Sequence, residues 1–213
     1  MGRPKKNTAE TATEERILVS AEAEFGRVGY DAARLEDIAQ RAQITRPSLL
    51  YYFNSKEALY AAVVRRTFLR LGVAQTEAIA EGGSFFQRLD RVIDTFLRFL
   101  RENPALAPLI LREALDGKGP GKELLLAGVG PVLSQLEDFV RAEAGDKLPP
   151  GFPLREVVMH LGTGSLVRAA AGALGPVLWG EADSTRAIAR ALFNVFIQEE
   201  SHGTAPTSSE HRQ

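Results

Sequence analysis

The sequence predicts an all-α protein of about nine helices. Three observations carry that expectation. Apolar residues recur at i, i+3, i+4 and i+7 almost throughout the chain. No alternating apolar and polar run flanked by turn residues marks a strand. Each apolar stripe closes on Gly, Pro or Asn, the residues that stop helices.

A first helix is expected from near Thr11 or Thr13, because Thr11 and Glu14 have capping-box spacing. Its stripe is Ile17, Leu18, Ala21, Phe25 and Val28, and Gly29 follows as a stop that tolerates positive φ. A second, short helix reads Leu35, Ile38, Ala39, Ala42. Thr45 can cap a third, with Pro47 in its first turn, where a missing N–H is harmless. Ser55 caps a fourth that runs to the Gly82-Gly83 break. Longer helices follow over about 84–101, 105–115, 122–144, 154–174 and 183–200, with Trp179 in the Gly175–Gly180 connection.

Composition narrows the function. The chain has 213 residues, 45% apolar and 25% charged, which is ordinary for a globular protein with a real core. With no cysteine it has no disulfide framework, thiolate metal site or thiol nucleophile, and three scattered histidines (His160, His202, His211) make a poor metal set. No metal and no cofactor are expected. No apolar run reaches the roughly 18 residues a membrane span needs, and no apolar signal core follows the charged N-terminus. A cytoplasmic location without membrane association is the expectation.

The net charge of −1 argues against a nucleic-acid partner until it is divided. Residues 1–66 hold 11 basic and 9 acidic residues, net +2, and the remainder 15 and 18, net −3. Between Ile38 and Lys56 stand Arg41, Arg46 and Lys56 with no acid. Local charge of this kind can steer a phosphate backbone, although a merely solvated face has the same composition.

Leu35–Ala42, the turn Gln43-Ile44 and Thr45–Phe53 have the proportions of a helix-turn-helix. Ile44, Leu49 and Phe53 would pack the third helix on Ile38 and the first helix. That leaves Arg46, Pro47, Ser48 and Tyr51 or Tyr52 facing outward.

The runs Phe25-Gly-Arg-Val-Gly-Tyr30, Leu35-Glu-Asp-Ile-Ala39, Ile44-Thr-Arg-Pro-Ser-Leu49 and Tyr51-Tyr-Phe-Asn-Ser-Lys-Glu-Ala-Leu59 together resemble the TetR family of bacterial transcriptional regulators. The resemblance covers about Thr13 to Val64. It implies a DNA-binding domain over 13–66, a flexible basic arm over 1–12, a helical ligand-binding and dimerisation domain over 67–200 and a disordered tail over 201–213. It also implies site residues. Thr45 would bond a phosphate or only cap its helix. Arg46, Pro47 and Ser48 would face bases, with Arg46 able to read guanine O6 and N7. Of Tyr51 and Tyr52, at least one hydroxyl would meet the backbone, the alternative being that one ring joins the core. Lys56 would hold a phosphate. Arg3, in Gly2-Arg3-Pro4, would enter a minor groove or belong to an unstructured start.

Three positions depart from the family pattern. Gln43 replaces a turn Gly, so the turn must change conformation or accept strain. Arg34 replaces a capping Ser or Thr, at about 1 kcal/mol, unless it gains a phosphate contact. Leu50 replaces a common aromatic.

In the C-terminal half the resemblance implies a homodimer, paired through the last two helices, with Ala169, Ile188, Leu192, Val195 and Phe196 at the interface. It also implies a cavity for an unknown small hydrophobic or amphipathic ligand, with Phe96, Phe99, Phe139 and Met159 as walls and Arg112, His160 and Thr163 as polar candidates. Plain core is the first reading of the same aromatics, and pocket wall the second.

The function expected is a DNA-binding regulator, a repressor that holds a palindromic operator as a dimer and is released by an effector. The alternative is a regulator of the same fold without an effector. An enzyme is not expected: Gly117-Lys-Gly-Pro-Gly-Lys122 fails phosphate-loop spacing and is followed by Glu123, and Gly162-Thr-Gly164 lies within a helical pattern.

Overall fold

A computed structural model describes residues 8–116 and 121–195. Arg3, Phe196 and the 201–213 segment lie outside the described residues. Within them the chain is helical, with ten α-helices and no strand.

Helix α1 spans Thr8–Ala32. It begins earlier than the Thr11–Glu14 spacing suggests, so those two residues lie inside the helix and do not open it. Gly29 breaks it where expected: its φ of 81° and ψ of 174° are non-helical, and one more turn continues to Ala32. Helices α2 (Leu35–Arg41), α3 (Arg46–Tyr52) and α4 (Lys56–Ala80) follow. Ser84 and Gln87 form a reciprocal capping box on α5 (Phe85–Glu102), satisfying two otherwise orphaned N–H groups. Then come α6 (Leu106–Asp116), α7 (Gly121–Ala144), a short 3-10 turn at Gly145–Lys147, and α8 (Leu154–Ala170). The last two are α9 (Leu174–Trp179) and α10 (Thr185–Asn194).

A second element differs from expectation. The apolar run through 154–174 is not one helix, because Gly172 takes a φ of 53° and the chain turns there. Trp179 therefore sits at the end of a separate helix, α9, and not in a connection.

Two apolar cores organise these helices. The first joins Ile17, Ala21 and Phe25 of α1 to Ile38, Leu49, Leu59 and Val63, and continues without interruption to Phe99, Leu106 and Leu125. Phe25, Tyr30 and Tyr60 form its aromatic centre, with Tyr60 edge-on to Phe25 at 4.9 Å and to Tyr30 at 5.0 Å. The second core gathers Phe85, Leu89, Phe139, Leu154 and Phe193 from α5, α7, α8 and α10. Helix α4 contributes to both, from Leu59 in the first to Ala78 in the second.

Gly26 is where α1 meets the start of α6. A Cβ there would stand 2.5 Å from both the Cβ and the carbonyl oxygen of Ala105, so only glycine permits this approach. The N-terminal helices are thereby seated directly on the body.

Candidate nucleic-acid interface and cavity

Helix α2 ends in a Schellman motif: the N–H of Ile44 bonds the carbonyl of Ala39 and that of Gln43 bonds the carbonyl of Gln40, both at 3.0 Å. The motif requires a left-handed residue, and Gln43 supplies it at φ 57°, the one positive-φ residue other than glycine among the described residues. The turn keeps the usual conformation and accepts the strain of a side chain in it. At the other end of α2, Arg34 is extended and gives no side-chain cap.

Thr45 caps α3. Its Oγ1 accepts from the N–H of Ser48 at 3.3 Å and lies 2.9 Å from the Ser48 hydroxyl. Leu49 and Phe53 are buried, and Ile44 and Tyr52 are half-buried against the same core. Arg46, Pro47, Ser48 and Tyr51 are exposed, Tyr51 at 79%. The i, i+3, i+4 spacing thus splits α3 into a core side and a free side. The two tyrosines divide likewise, with Tyr52 inward and Tyr51 outward.

The charges in this segment have partners that the local sequence does not show. Arg46 Nε lies 2.9 Å from Glu36 Oε1, with both side chains more than half exposed. Arg41 reaches Glu24 at 3.4 Å, and the fully buried Glu24 also receives two hydrogen bonds from Arg27. Lys56 Nζ donates to the carbonyls of Asp31 and Ala33, each at 3.0 Å, and lies 4.6 Å from the Tyr30 ring centre. It ties the end of α1 to the start of α4, using two of the three ammonium donors.

Behind this head lies a cavity of about 420 Å³ between α4 and α8, within the range of small-molecule pockets. Four of the residues expected there line it: Phe96, Phe139, Met159 and Thr163. Three are placed elsewhere. Phe99 is buried in the first core beneath the Arg70 guanidinium, because it turns away from the α5 face that carries Ile93 and Phe96. Arg112 donates to the carbonyl of Arg27 on α1 at 3.2 Å. His160 is exposed, with Nδ1 2.8 Å from the carbonyl of Glu156 one turn back.

Two features escaped the sequence reading. Gln75 of α4 lines the cavity and is 1% exposed. The Tyr60 hydroxyl donates to Glu113 Oε1 at 2.6 Å, a buried bond from α4 to α6. Gln75 has a sequence signal: it is a polar residue in the apolar stripe Phe68, Leu71, Ala78 of α4.

Residues 17–63, the part that builds the turn and both short helices, match the family described as bacterial regulatory proteins, tetR family. Over these residues the chain is similar to the TetR family. Among its relatives is the HTH-type transcriptional regulator RutR of Escherichia coli (strain K12), 35% identical over 113 residues, or 53% of either chain. The HTH-type transcriptional repressor KstR of Mycolicibacterium smegmatis is 30% identical over 104 residues, 49% of this chain and 51% of that one. The matched region spans about half the length of these curated relatives. Solved structures share the fold over more of the chain. The fatty acid degradation regulator FadR of Bacillus halodurans has a TM-score of 0.66 at 14% identity, covering 85% of this chain and 96% of that one. A TetR-like transcriptional regulator from Rhodococcus sp. RHA1 has 0.61 at 23%, covering 90% and 98%.

No helix among the described residues is long and apolar enough to cross a membrane.

Proposed function

We propose that this chain is a DNA-binding transcriptional regulator, a repressor that holds a palindromic operator as a homodimer and lets go when a small hydrophobic or amphipathic effector fills the cavity. The observation that carries the reading is the free side of α3, where Arg46, Pro47, Ser48 and Tyr51 are exposed together at the end of a helix-turn-helix. A helix of this kind fits the major groove, with Thr45, Tyr51, Lys56 and Arg34 on the side open to the backbone and Tyr52 packed inward. Residues 13–66 serve as the reading domain, preceded by the 1–12 arm, and 67–200 as the sensing and pairing domain.

Pairing is supported by apolar side chains left exposed among the described residues. Leu174, Val177, Leu178 and Trp179 of α9 and Ile188 and Leu192 of α10, with Val195 beyond it, are all more than 40% exposed. Large apolar side chains exposed in this number support an interaction site, and Ala169 of α8 is a small exposed residue. A two-fold pairing presents two α3 helices to half-sites about one helical turn apart.

Release is a population shift: an effector that prefers one spacing of the two heads lowers operator affinity, and the operator disfavours the effector equally. Helix α4 is suited to carry this, since Lys56 stands at its head end and Gln75 in the cavity wall. The cavity is the reason to prefer this reading over a regulator of the same fold without an effector.

The test is selection from random duplex DNA by the purified protein. A two-fold symmetric site bound by two chains is the expected outcome. Recovery of asymmetric sites, or of none above background, would overturn the proposal.

A further inference from the structure

The cavity wall is almost wholly apolar, formed by residues such as Leu71, Ile93, Phe96, Leu133 and Phe139. Set into it is the amide of Gln75, buried and held in one orientation. Its Nε2 donates to the carbonyl of Val92 on α5 at 3.3 Å. That carbonyl can only accept, so the amide nitrogen must face it and the oxygen must take the other place. Oε1 is then a fully buried acceptor with no hydrogen-bond partner among the described residues. Buried polar atoms are nearly always paired, and one left unpaired on a side chain that lines a ligand-sized hollow is a place for a ligand atom.

Two other polar groups of the wall are occupied. Ser165 Oγ donates to the carbonyl of Leu161 at 2.9 Å, and Arg155, half-exposed, lies 2.6 Å from Glu137. Thr67, whose hydroxyl oxygen is also buried without a partner, does not line the cavity.

We propose that Gln75 is the polar anchor of the effector, and that the effector is an uncharged, largely apolar molecule donating one hydrogen bond, from a hydroxyl or an amide N–H, to Oε1. This rests on the reading of the cavity as an effector site. A carboxylate offers Oε1 no donor, and the nearest lining cation, Arg155, is already paired. An ammonium would donate, but among the described residues no carboxylate lines the wall to offset the loss of its hydration. Because Gln75 belongs to the helix that begins at the head, a ligand bonded to it acts directly on α4.

The test uses the full chain and three probes of equal carbon number: 1-decanol, its isomer nonyl methyl ether, which accepts but cannot donate, and decanoate at pH 7.5. Calorimetry and thermal shift should find decanol bound about ten-fold more tightly than the ether, the worth of one buried hydrogen bond whose acceptor is otherwise unmet. Decanoate should bind more weakly than decanol. Gln75→Met, of similar shape and without the acceptor, should bring decanol and the ether level. Where that variant fails to fold, the comparison on the unaltered protein decides alone. Equal binding of decanol and ether, or tighter binding of decanoate, would overturn the assignment of Gln75 while leaving the cavity as an effector site. Binding of none of the three would remove both.

Discussion

The Tyr60 hydroxyl donates a 2.6 Å hydrogen bond to Oε1 of Glu113, and both side chains are buried. The bond joins α4, eight residues after the recognition helix ends, to α6 in the body. Burial, and then the bond to Glu113, hold the phenol far above the ordinary tyrosine range, so it keeps its proton and remains a donor at every pH of interest. Tyr60→Phe removes the donor and leaves the Glu113 acceptor buried and unmet. The expected loss is about 2–3 kcal/mol, at the upper end of the penalty for an orphaned buried group. Glu113→Met added to it should recover part of that loss, since replacing both partners by apolar groups is far milder than removing one. Urea unfolding of the two single variants and the double variant checks this, and additive losses would contradict it.

Gln43 carries a removable strain. It occupies the left-handed position of the Schellman motif at φ 57°, where an L side chain costs roughly 1–2 kcal/mol relative to glycine. Its side chain is exposed, so little packing is lost on truncation. Part of the gain is offset by the greater freedom of glycine in the unfolded chain. Gln43→Gly is therefore expected to stabilise the protein by about 0.5–1 kcal/mol, read as a higher unfolding midpoint. A lower midpoint would mean that the glutamine side chain makes a compensating contact.

What the sequence discloses and what it hides follow from the range of the interactions. The inward turn of Leu49 and Phe53 and the outward turn of Arg46, Pro47 and Ser48 are legible because helical spacing within one turn decides them. Gly29 is legible as a stop for the same local reason. The partners of Arg46, Arg41 and Lys56 are not, because Glu36, Glu24 and the Asp31 and Ala33 carbonyls come from neighbouring segments brought close by packing. In the cavity, periodicity identifies α5 and α8 as wall elements but not which side of each turns inward. Hence Phe96 and Met159 line the cavity while Phe99 and His160, a turn or less away, do not. Helix α9 is hidden because its boundary is the backbone conformation of Gly172, within a run whose composition is helical throughout.

Glu22 makes stability depend on pH in a direction opposite to most carboxylates. It is buried on α1, accepts from Arg66 at 3.2 Å, and has Arg70 and Glu15 nearby. Burial outweighs the two arginines and raises its pKa above the usual 4.5. The folded state then binds the proton more readily than the unfolded one. Its contribution to stability is complete below about pH 4.5, the unfolded value, and is lost as pH rises through the raised folded value. Glu22→Gln, a permanent stand-in for the protonated form, should gain stability relative to the natural protein between pH 4.5 and neutrality. Unfolding midpoints of both proteins across that window test it, and a difference independent of pH would show that Glu22 does not titrate there.

The ion pair between Arg46 and Glu36 bears on the proposed DNA reading. A guanidinium paired to its own protein must exchange that partner for a base or phosphate. The pair is exposed on both sides, so it is worth only ~0.2–1 kcal/mol, less than the roughly 1–3 kcal/mol of discrimination in a good bidentate guanine contact. Glu36 therefore moderates binding without preventing it. Glu36→Gln frees Arg46 and removes a negative charge facing the duplex, so affinity for the selected operator should rise a few-fold at low salt. The gain should shrink as salt is added, with a steeper dependence of binding on salt concentration. Arg46→Ala should instead relax base preference at one position in each half-site. Lys56→Ala should weaken binding about equally across sequences and flatten the salt dependence. It should also lower the unfolding midpoint, because the same ammonium holds the Asp31 and Ala33 carbonyls. Fluorescence anisotropy on operator and scrambled duplexes over a range of salt separates the three. A Lys56→Ala protein with an unchanged salt slope and a lowered midpoint would assign that lysine wholly to the clamp between α1 and α4.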